Sequence, residues 1–411
     1  MRPVLSHRSV RWPGVTVILL IVALGALSVG PHTAVAQEKK RKVSKGDAAV
    51  AKRSGKSYMK LRLFDKAIAQ FEIAVEGNPE DVESQYWLGF LYSNRGLIEE
   101  MVQQFDKVRA LKKGEKYKKD MQQMLDSWWT RKFNTGINAM RAQDFSGAIE
   151  EFQLAETIMP ERADTYKGIG LCYLNMGQHE AGIEAYLKAI ALDSTDAMVR
   201  YNLGIAYLNI NELESAKQTL LKSHELNPED LNALEKLALT EQRMGNPEGA
   251  LEAAEKALKI DPDKLEVLSM AGQIYLMGGD YARAAELMEK VVAQQPDNAA
   301  VIFNLAAAYK ALEQHDRAIA LFQKTVEVTP TDTDAWYQLG LIHNQLEDFD
   351  SAIASFEKVV DLTPGNAKAW AALASVYAAK SNTTSGAEAK ELVRKANEAG
   401  AMYQSLQNQG S

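Results

Sequence analysis

The chain repeats itself every 34 residues. Pro160, Ser194, Pro228, Pro262, Pro296, Pro330 and Pro364 form a column at that spacing. Numbering this column as position 32 starts units at 129, 163, 197, 231, 265, 299, 333 and 367, and two earlier units start at 48 and 82. A fixed period of this length signals stacked supersecondary units, none of which can bury its apolar face alone. Position 8 is small in every unit: Gly55, Gly89, Gly136, Gly170, Gly204, Ala238, Gly272, Ala306, Gly340 and Ala374. Position 20 is mostly alanine, as in Ala67, Ala148, Ala216 and Ala352. Tyrosine recurs at position 11 (Tyr58, Tyr92, Tyr173, Tyr207, Tyr275, Tyr309, Tyr377) and aromatics at position 24 (Phe71, Phe105, Phe152, Tyr186, Phe322, Phe356).

Positions 4, 7, 8 and 11 share one helix face, and positions 20, 24 and 27 share the face of a second helix. Small residues at 8 and 20 allow the two antiparallel helices to approach closely, and the large residues fill the space beside them. Gly96, Gly177, Asn211, Gly245 and Gly279 stand near position 15, where the hairpin must turn. Proline at position 32 cannot continue a helix and ends the second one.

The unit from 333 carries Trp336, Leu339, Gly340, Ala352, Phe356 and Pro364. This pattern resembles the tetratricopeptide repeat (TPR) family, and the resemblance runs from 48 to about 400. It implies an all-α fold, a right-handed α-solenoid of about ten stacked helical hairpins, with a concave groove lined by the first helix of each unit. It also implies that positions 2, 5, 9, 12 and 13 face the groove. On that basis the candidate partner-binding residues are Phe133, Ile137, Lys167, Leu171, Tyr201, Ile205, Asn209, Gln273, Phe303, Lys310, Tyr337, Leu341 and Asn344, with Met198 and Met277 beside them. Aromatic and apolar groups flanked by amides and lysines suit an extended peptide or a partner helix. The basic clamp that some TPR domains use for terminal carboxylates has its nearest match in Lys52 and Lys56, without the accompanying asparagine and basic pair.

Two stretches depart from the repeat. Thirteen extra residues, 116–128, follow unit two, and Tyr117, Met121, Met124, Leu125 and Trp128 recur there at helical spacing. The spacing predicts a lengthened first helix in unit three, starting near Lys116. Its apolar stripe either packs back on unit two or forms a secondary docking ridge or hinge. In the last unit, residues 381–386 predict a lengthened turn, followed by a charged capping helix over about 387–399 and a frayed polar tail over 401–411.

The chain is 411 residues long, 46% hydrophobic and 25% charged, a composition outside the disordered range. Residues 1–36 read as an export signal: Arg2, Arg8 and Arg11, an apolar run from Val15 to Val29, then Ala34-Val35-Ala36. Without them the chain keeps 44 basic and 54 acidic residues, a poor balance for binding nucleic acid. From Glu38 to Arg62, ten Lys and Arg face two acids. The sequence therefore divides into a signal peptide (1–36), a basic linker (37–47), two units (48–115), a helical insertion (116–128), seven units (129–366), and a capping unit with its tail (367–411).

The repeats account for the whole chain after the signal, which leaves no room for a separate catalytic domain. Four histidines follow the signal: His179, His224, His315 and His343. None forms a metal-ligand pair, and His343 takes the place of a position-11 aromatic. His179 and His315 are expected to be exposed at the start of second helices. The single cysteine, Cys172, excludes an intramolecular disulfide and reads as a small buried thiol. The reading is thus a non-enzymatic protein-binding scaffold of the cell envelope or periplasm, with no cofactor and no metal. Its partner and oligomeric state are not specified by the sequence. Two alternatives stay open: a membrane-tethered assembly or secretion adaptor whose N-terminus contacts the membrane surface, and a glycan-binding export accessory.

Overall fold

The computed structural model describes residues 42–409, so the export signal and most of the basic linker lie outside the described residues. Among the described residues, twenty α-helices follow one another as hairpins. Units one and two comprise α1 (Lys45–Lys60), α2 (Phe64–Gly77), α3 (Val82–Arg95) and α4 (Ile98–Ala110). A 3-10 turn (Lys112–Tyr117) leads into α5 (Lys118–Arg141) and α6 (Phe145–Ile158) of unit three. Units four to six are α7 (Ala163–Asn175) with α8 (His179–Leu192), α9 (Ala197–Asn209) with α10 (Leu213–Leu226), and α11 (Leu231–Arg243) with α12 (Pro247–Ile260). Units seven to nine are α13 (Leu265–Gly278) with α14 (Tyr281–Gln294), α15 (Ala299–Ala311) with α16 (His315–Val328), and α17 (Thr333–Gln345) with α18 (Phe349–Leu362). The last hairpin is α19 (Ala367–Thr383) with α20 (Gly386–Gln409). The fold is an all-α solenoid, and among the described residues no helix is long and apolar enough to cross a membrane.

Wherever position 8 is glycine, the hairpin closes where it meets position 24. A Cβ added to Gly340 would lie 2.6 Å from Phe356, one on Gly136 2.6 Å from Phe152, and one on Gly204 2.6 Å from Leu220. The position-24 side chain thus rests directly on the backbone of the first helix, closer than the sequence pattern alone implied. Phe71, Phe105, Phe152, Tyr186, Phe322 and Phe356 are all fully buried there.

The turn after the first helix uses the left-handed region at position 15 in nine units. Gly96, Gly177, Gly245 and Gly279 adopt it without penalty, but Arg62, Gln143, Asn211, Glu313 and Glu347 adopt it with a side chain. Asp and Asn then cap the helices: Asp144, Asn246, Asp280 and Asp348 begin second helices, and Asp196, Asp230, Asn298, Asp332 and Asn366 begin first helices.

Polar ties hold successive units in register. The position-11 tyrosine donates to the position-25 glutamate of the preceding unit in Tyr92–Glu72 (2.8 Å), Tyr275–Glu255 (3.3 Å), Tyr309–Glu289 and Tyr377–Glu357. Position 4 donates to the carbonyl of the preceding position-32 proline: Gln85 to Pro79 (3.1 Å), Trp336 to Pro330 (3.0 Å) and Trp370 to Pro364 (2.8 Å). These bonds pair the carbonyl of the residue two positions past each helix end with a side chain of the next unit.

Four boundaries differ from the sequence reading. α1 begins at Lys45, inside the stretch assigned to the linker, because Ser44 and Asp47 form a reciprocal capping box. α5 begins at Lys118 rather than Lys116. The preceding residues tighten into the 3-10 turn, where Gly114 lies so close to the Val108 carbonyl that an added Cβ would be 1.9 Å away. Residues 381–383 extend α19 instead of lengthening the turn, since the Thr383 and Thr384 hydroxyls both donate to the Lys380 carbonyl (2.9 and 2.8 Å). Residues 401–409, expected to fray, continue α20, for no proline interrupts its backbone ladder.

Two outcomes test this packing. Gly204→Leu should cost at least the usual 1–3 kcal/mol of overpacking, about that much by chemical denaturation, and should split the array's unfolding into separate transitions. Glu347→Gly should stabilise its hairpin by about 0.5–1 kcal/mol by relieving the left-handed strain, read by the same method.

Candidate functional site

The first helices of units three to eight touch in sequence, α5 on α7, α7 on α9, α9 on α11, α11 on α13 and α13 on α15, whereas their second helices do not approach one another as closely. The array therefore turns its first helices toward a common face. The break is at the insertion, where the second helices α4 and α6 meet instead.

The aromatic candidates on that face are half-buried, and three of the four brace a core ring of their own unit. Phe303 stands edge-on to Phe322 (5.3 Å), Tyr337 edge-on to Phe356 (5.4 Å), and Phe133 lies 5.5 Å from Phe152 and stacks on Trp129 (4.7 Å). Tyr201 packs against the central core cluster. Ile137, Leu171, Ile205, Leu341 and Asn344 are likewise half-buried. Asn209 and Gln273 are exposed, as are Met198 (58%) and Met277 (67%).

The two lysine candidates already have partners. The Lys167 ammonium pairs with Asp164 (3.0 Å) and with Asp196 (2.7 Å), the cap of the next first helix. Lys310 donates to Gln338 (2.6 Å), and burial lowers its pKa. The same position-5 device recurs at Lys52, which pairs with Asp81 (2.8 Å) and Glu83 (2.9 Å), while Lys56 adds a second ammonium to Glu83 (2.5 Å). Burial opposes ionisation of Glu83, but the Lys56 and Lys52 ammonium groups outweigh it and hold the carboxyl at about 2. Lys52 and Lys56 thus tie unit one to unit two.

The proposed docking ridge is corrected. Met121 and Leu125 are 1% exposed and sit in the core shared with unit two. Tyr117 stacks on Tyr86 (4.0 Å) and the Trp128 indole donates to Ser93 (2.8 Å), with Met124 packed against the same cluster. The stripe is covered, fully at Met121 and Leu125 and in part at Tyr117, Met124 and Trp128, because it packs back on unit two. Similarly, His179 and His315 are half-buried rather than exposed. His343 pairs with Asp348 (3.1 Å), and Cys172 is fully buried with its thiol pushed up to about 11 by burial. Among the described residues no group of three or more His, Cys, Asp or Glu is placed to hold a metal ion.

Comparison with known proteins agrees with the hairpin geometry. Profiles described as tetratricopeptide repeat match residues 53–114, 201–263, 235–299, 277–340 and 333–366, and one described as TPR repeat matches 173–211. The chain belongs to the tetratricopeptide repeat family. No curated protein matches it by sequence. Among solved structures, the C-terminal part of a TPR repeat-containing protein from Cytophaga hutchinsonii is 18% identical with a TM-score of 0.53, covering 59% of this chain and 99% of its own. A tetratricopeptide repeat protein from Parabacteroides merdae is 16% identical with a TM-score of 0.45, covering 61% and 99%. YrrB, described as a TPR protein with an unusual peptide-binding site, is 22% identical with a TM-score of 0.41, covering 45% and 95%. A TPR array of this kind is a protein-interaction scaffold.

The ion-pair cluster at units one and two sets an acid limit. Because the Glu83 pKa is depressed on folding, its contribution is complete above the unfolded value near 4.5 and is lost as pH falls toward about 2. Glu83→Gln should therefore reduce the acid sensitivity of unit one in that window, measured by hydrogen exchange of α1 at stepped pH.

Proposed function

We propose that the protein is an exported, non-enzymatic scaffold of the cell envelope that holds an extended peptide or partner helix along the first-helix face of units three to nine. The observation that carries this reading is the pair of methionines left exposed on first helices, Met198 and Met277, beside the uncovered amides of Asn209 and Gln273. Flexible thioethers accept varied apolar shapes, and amides on rigid helices supply directional bonds to a peptide backbone. The half-buried Tyr201, Phe303 and Tyr337 offer their outer edges to the same ligand. Export rests on the signal pattern of residues 1–36.

Truncating Phe303 or Tyr337 would open the core against Phe322 and Phe356, so the test uses exposed positions. Met198→Lys/Gln273→Lys/Met277→Lys should leave the melting temperature unchanged and weaken capture of the partner from envelope extract at least tenfold, equivalent to about 1.4 kcal/mol. Equal capture by the variant and the parent protein would reject the groove.

A further inference from the structure

Between the second helices α2 and α4, floored by α3, lies a cleft of about 650 Å3 that the groove does not use. Two buried glutamines reach it. Gln85 is 2% exposed and Gln104 is 7% exposed, and the side-chain carbonyl oxygen of each is buried with no hydrogen-bond partner among the described residues. The orientation of Gln85 is determined, because its Nε2 donates to the Pro79 carbonyl (3.1 Å), and a carbonyl oxygen could not take that place. Three carboxylates, Glu72, Glu76 and Glu80, stand on the walls and rim against one ammonium, Lys107. Val75, Leu88 and Leu111 complete an apolar passage between them.

The repeat supplies its own control. The corresponding cleft between units seven and eight, of about 420 Å3, has the same Glu289, Val292, Leu305 and Tyr309 in the columns of Glu72, Val75, Leu88 and Tyr92. There Ala293 stands in the column of Glu76 and Leu321 in that of Gln104, and Arg317 faces the glutamate and donates to Tyr309 (3.2 Å). The position of Arg317 is held by Glu100 in unit two. The cleft between units seven and eight is thus more apolar and closer to charge balance; that between units five and six is polar, but its Glu241, Glu248 and Glu252 are set against two ammonium groups, Lys217 and Lys256. The first cleft carries excess negative charge and two buried acceptors that no other described residue pairs, an arrangement that costs stability.

We propose that this cleft is a second binding site, separate from the groove, which receives an arginine side chain of a partner polypeptide. Guanidinium carries five N–H donors and no acceptor, so it can serve both glutamine carbonyls and a wall carboxylate together. Its methylene stem fits along Val75 and Leu111. The charge and the donor-only chemistry of the ligand both follow from the groups present.

The test titrates the full-length protein with the peptide acetyl-Gly-Ser-Arg-Ser-Gly-amide and with its citrulline analogue, which has the same shape but no charge, by isothermal calorimetry. The arginine peptide should bind saturably, and the citrulline peptide at least tenfold more weakly. Glu76→Ala/Gln104→Leu, which installs the pattern of units seven and eight, should lose at least tenfold in affinity for the arginine peptide. Gln104→Leu alone should raise the melting temperature of the ligand-free protein, since it removes an unpaired buried acceptor. Absence of saturable binding, equal binding of the two peptides, or a lowered melting temperature of Gln104→Leu would each overturn the proposal. Tighter peptide binding after Lys39, Lys40 and Arg41 are replaced by serine would overturn the assignment to a partner and give the site to the chain's own basic segment. The groove variant Met198→Lys/Gln273→Lys/Met277→Lys should bind the arginine peptide unchanged, which separates this site from the groove.

Discussion

The closeness of position 8 to position 24 governs the rest of the molecule. With glycine at position 8, a large side chain on the second helix can lie against the first helix backbone, as Phe356 does over Gly340 and Phe152 over Gly136. Phe152 also reaches Gly168 of unit four, where an added Cβ would lie 2.7 Å from the ring. One ring thus closes a hairpin and seats its neighbour, so spacing within units and between units is not independent. The face of the array inherits this arrangement, since Phe133, Phe303 and Tyr337 brace those same core rings.

Apolar packing supplies attraction without fixing register, and the polar ties do that work. A tyrosine hydroxyl on a glutamate of the previous unit, and an indole or amide on the previous proline carbonyl, are satisfied only at one offset. Lys52 and Lys167 add a third tie, from position 5 to the cap of the next first helix. Where the glutamate column changes to Gln153, Leu187 or Gln323, the array relies more on shape. His343, beside the last of these, pairs within its own unit with Asp348.

The insertion shows what happens when the period is broken. Added length at the start of α5 is absorbed by burying Met121, Leu125 and Trp129, with the Trp129 indole donating to Thr165 (3.0 Å). Of the two readings the sequence allowed for this apolar stripe, packing back on unit two holds and the docking ridge does not. The interface it joins departs from the regular pattern, with α4 meeting α6. The cleft of Gln85 and Gln104 lies on the other side of the same unit two.

The sequence by itself determined the hairpin, its period, its turn and its stacking, because small, aromatic and proline residues at set spacings leave a helix pair few other ways to close. The glutamines at positions 4 and 23 of unit two stand outside those columns, and a glutamine on a helix reads as solvated until its neighbours are placed. Only the tertiary structure decided which side chains are spoken for. It paired Lys167 and Lys310, half-buried the groove aromatics, covered Met121 and Leu125, and left the carbonyls of Gln85 and Gln104 unpaired. The reason is physical: helical spacing gives the face of a residue within its own unit, whereas exposure and hydrogen bonding depend on the adjacent units, whose side chains arrive from 20 to 36 residues away, as in Tyr92–Glu72 and Trp129–Thr165.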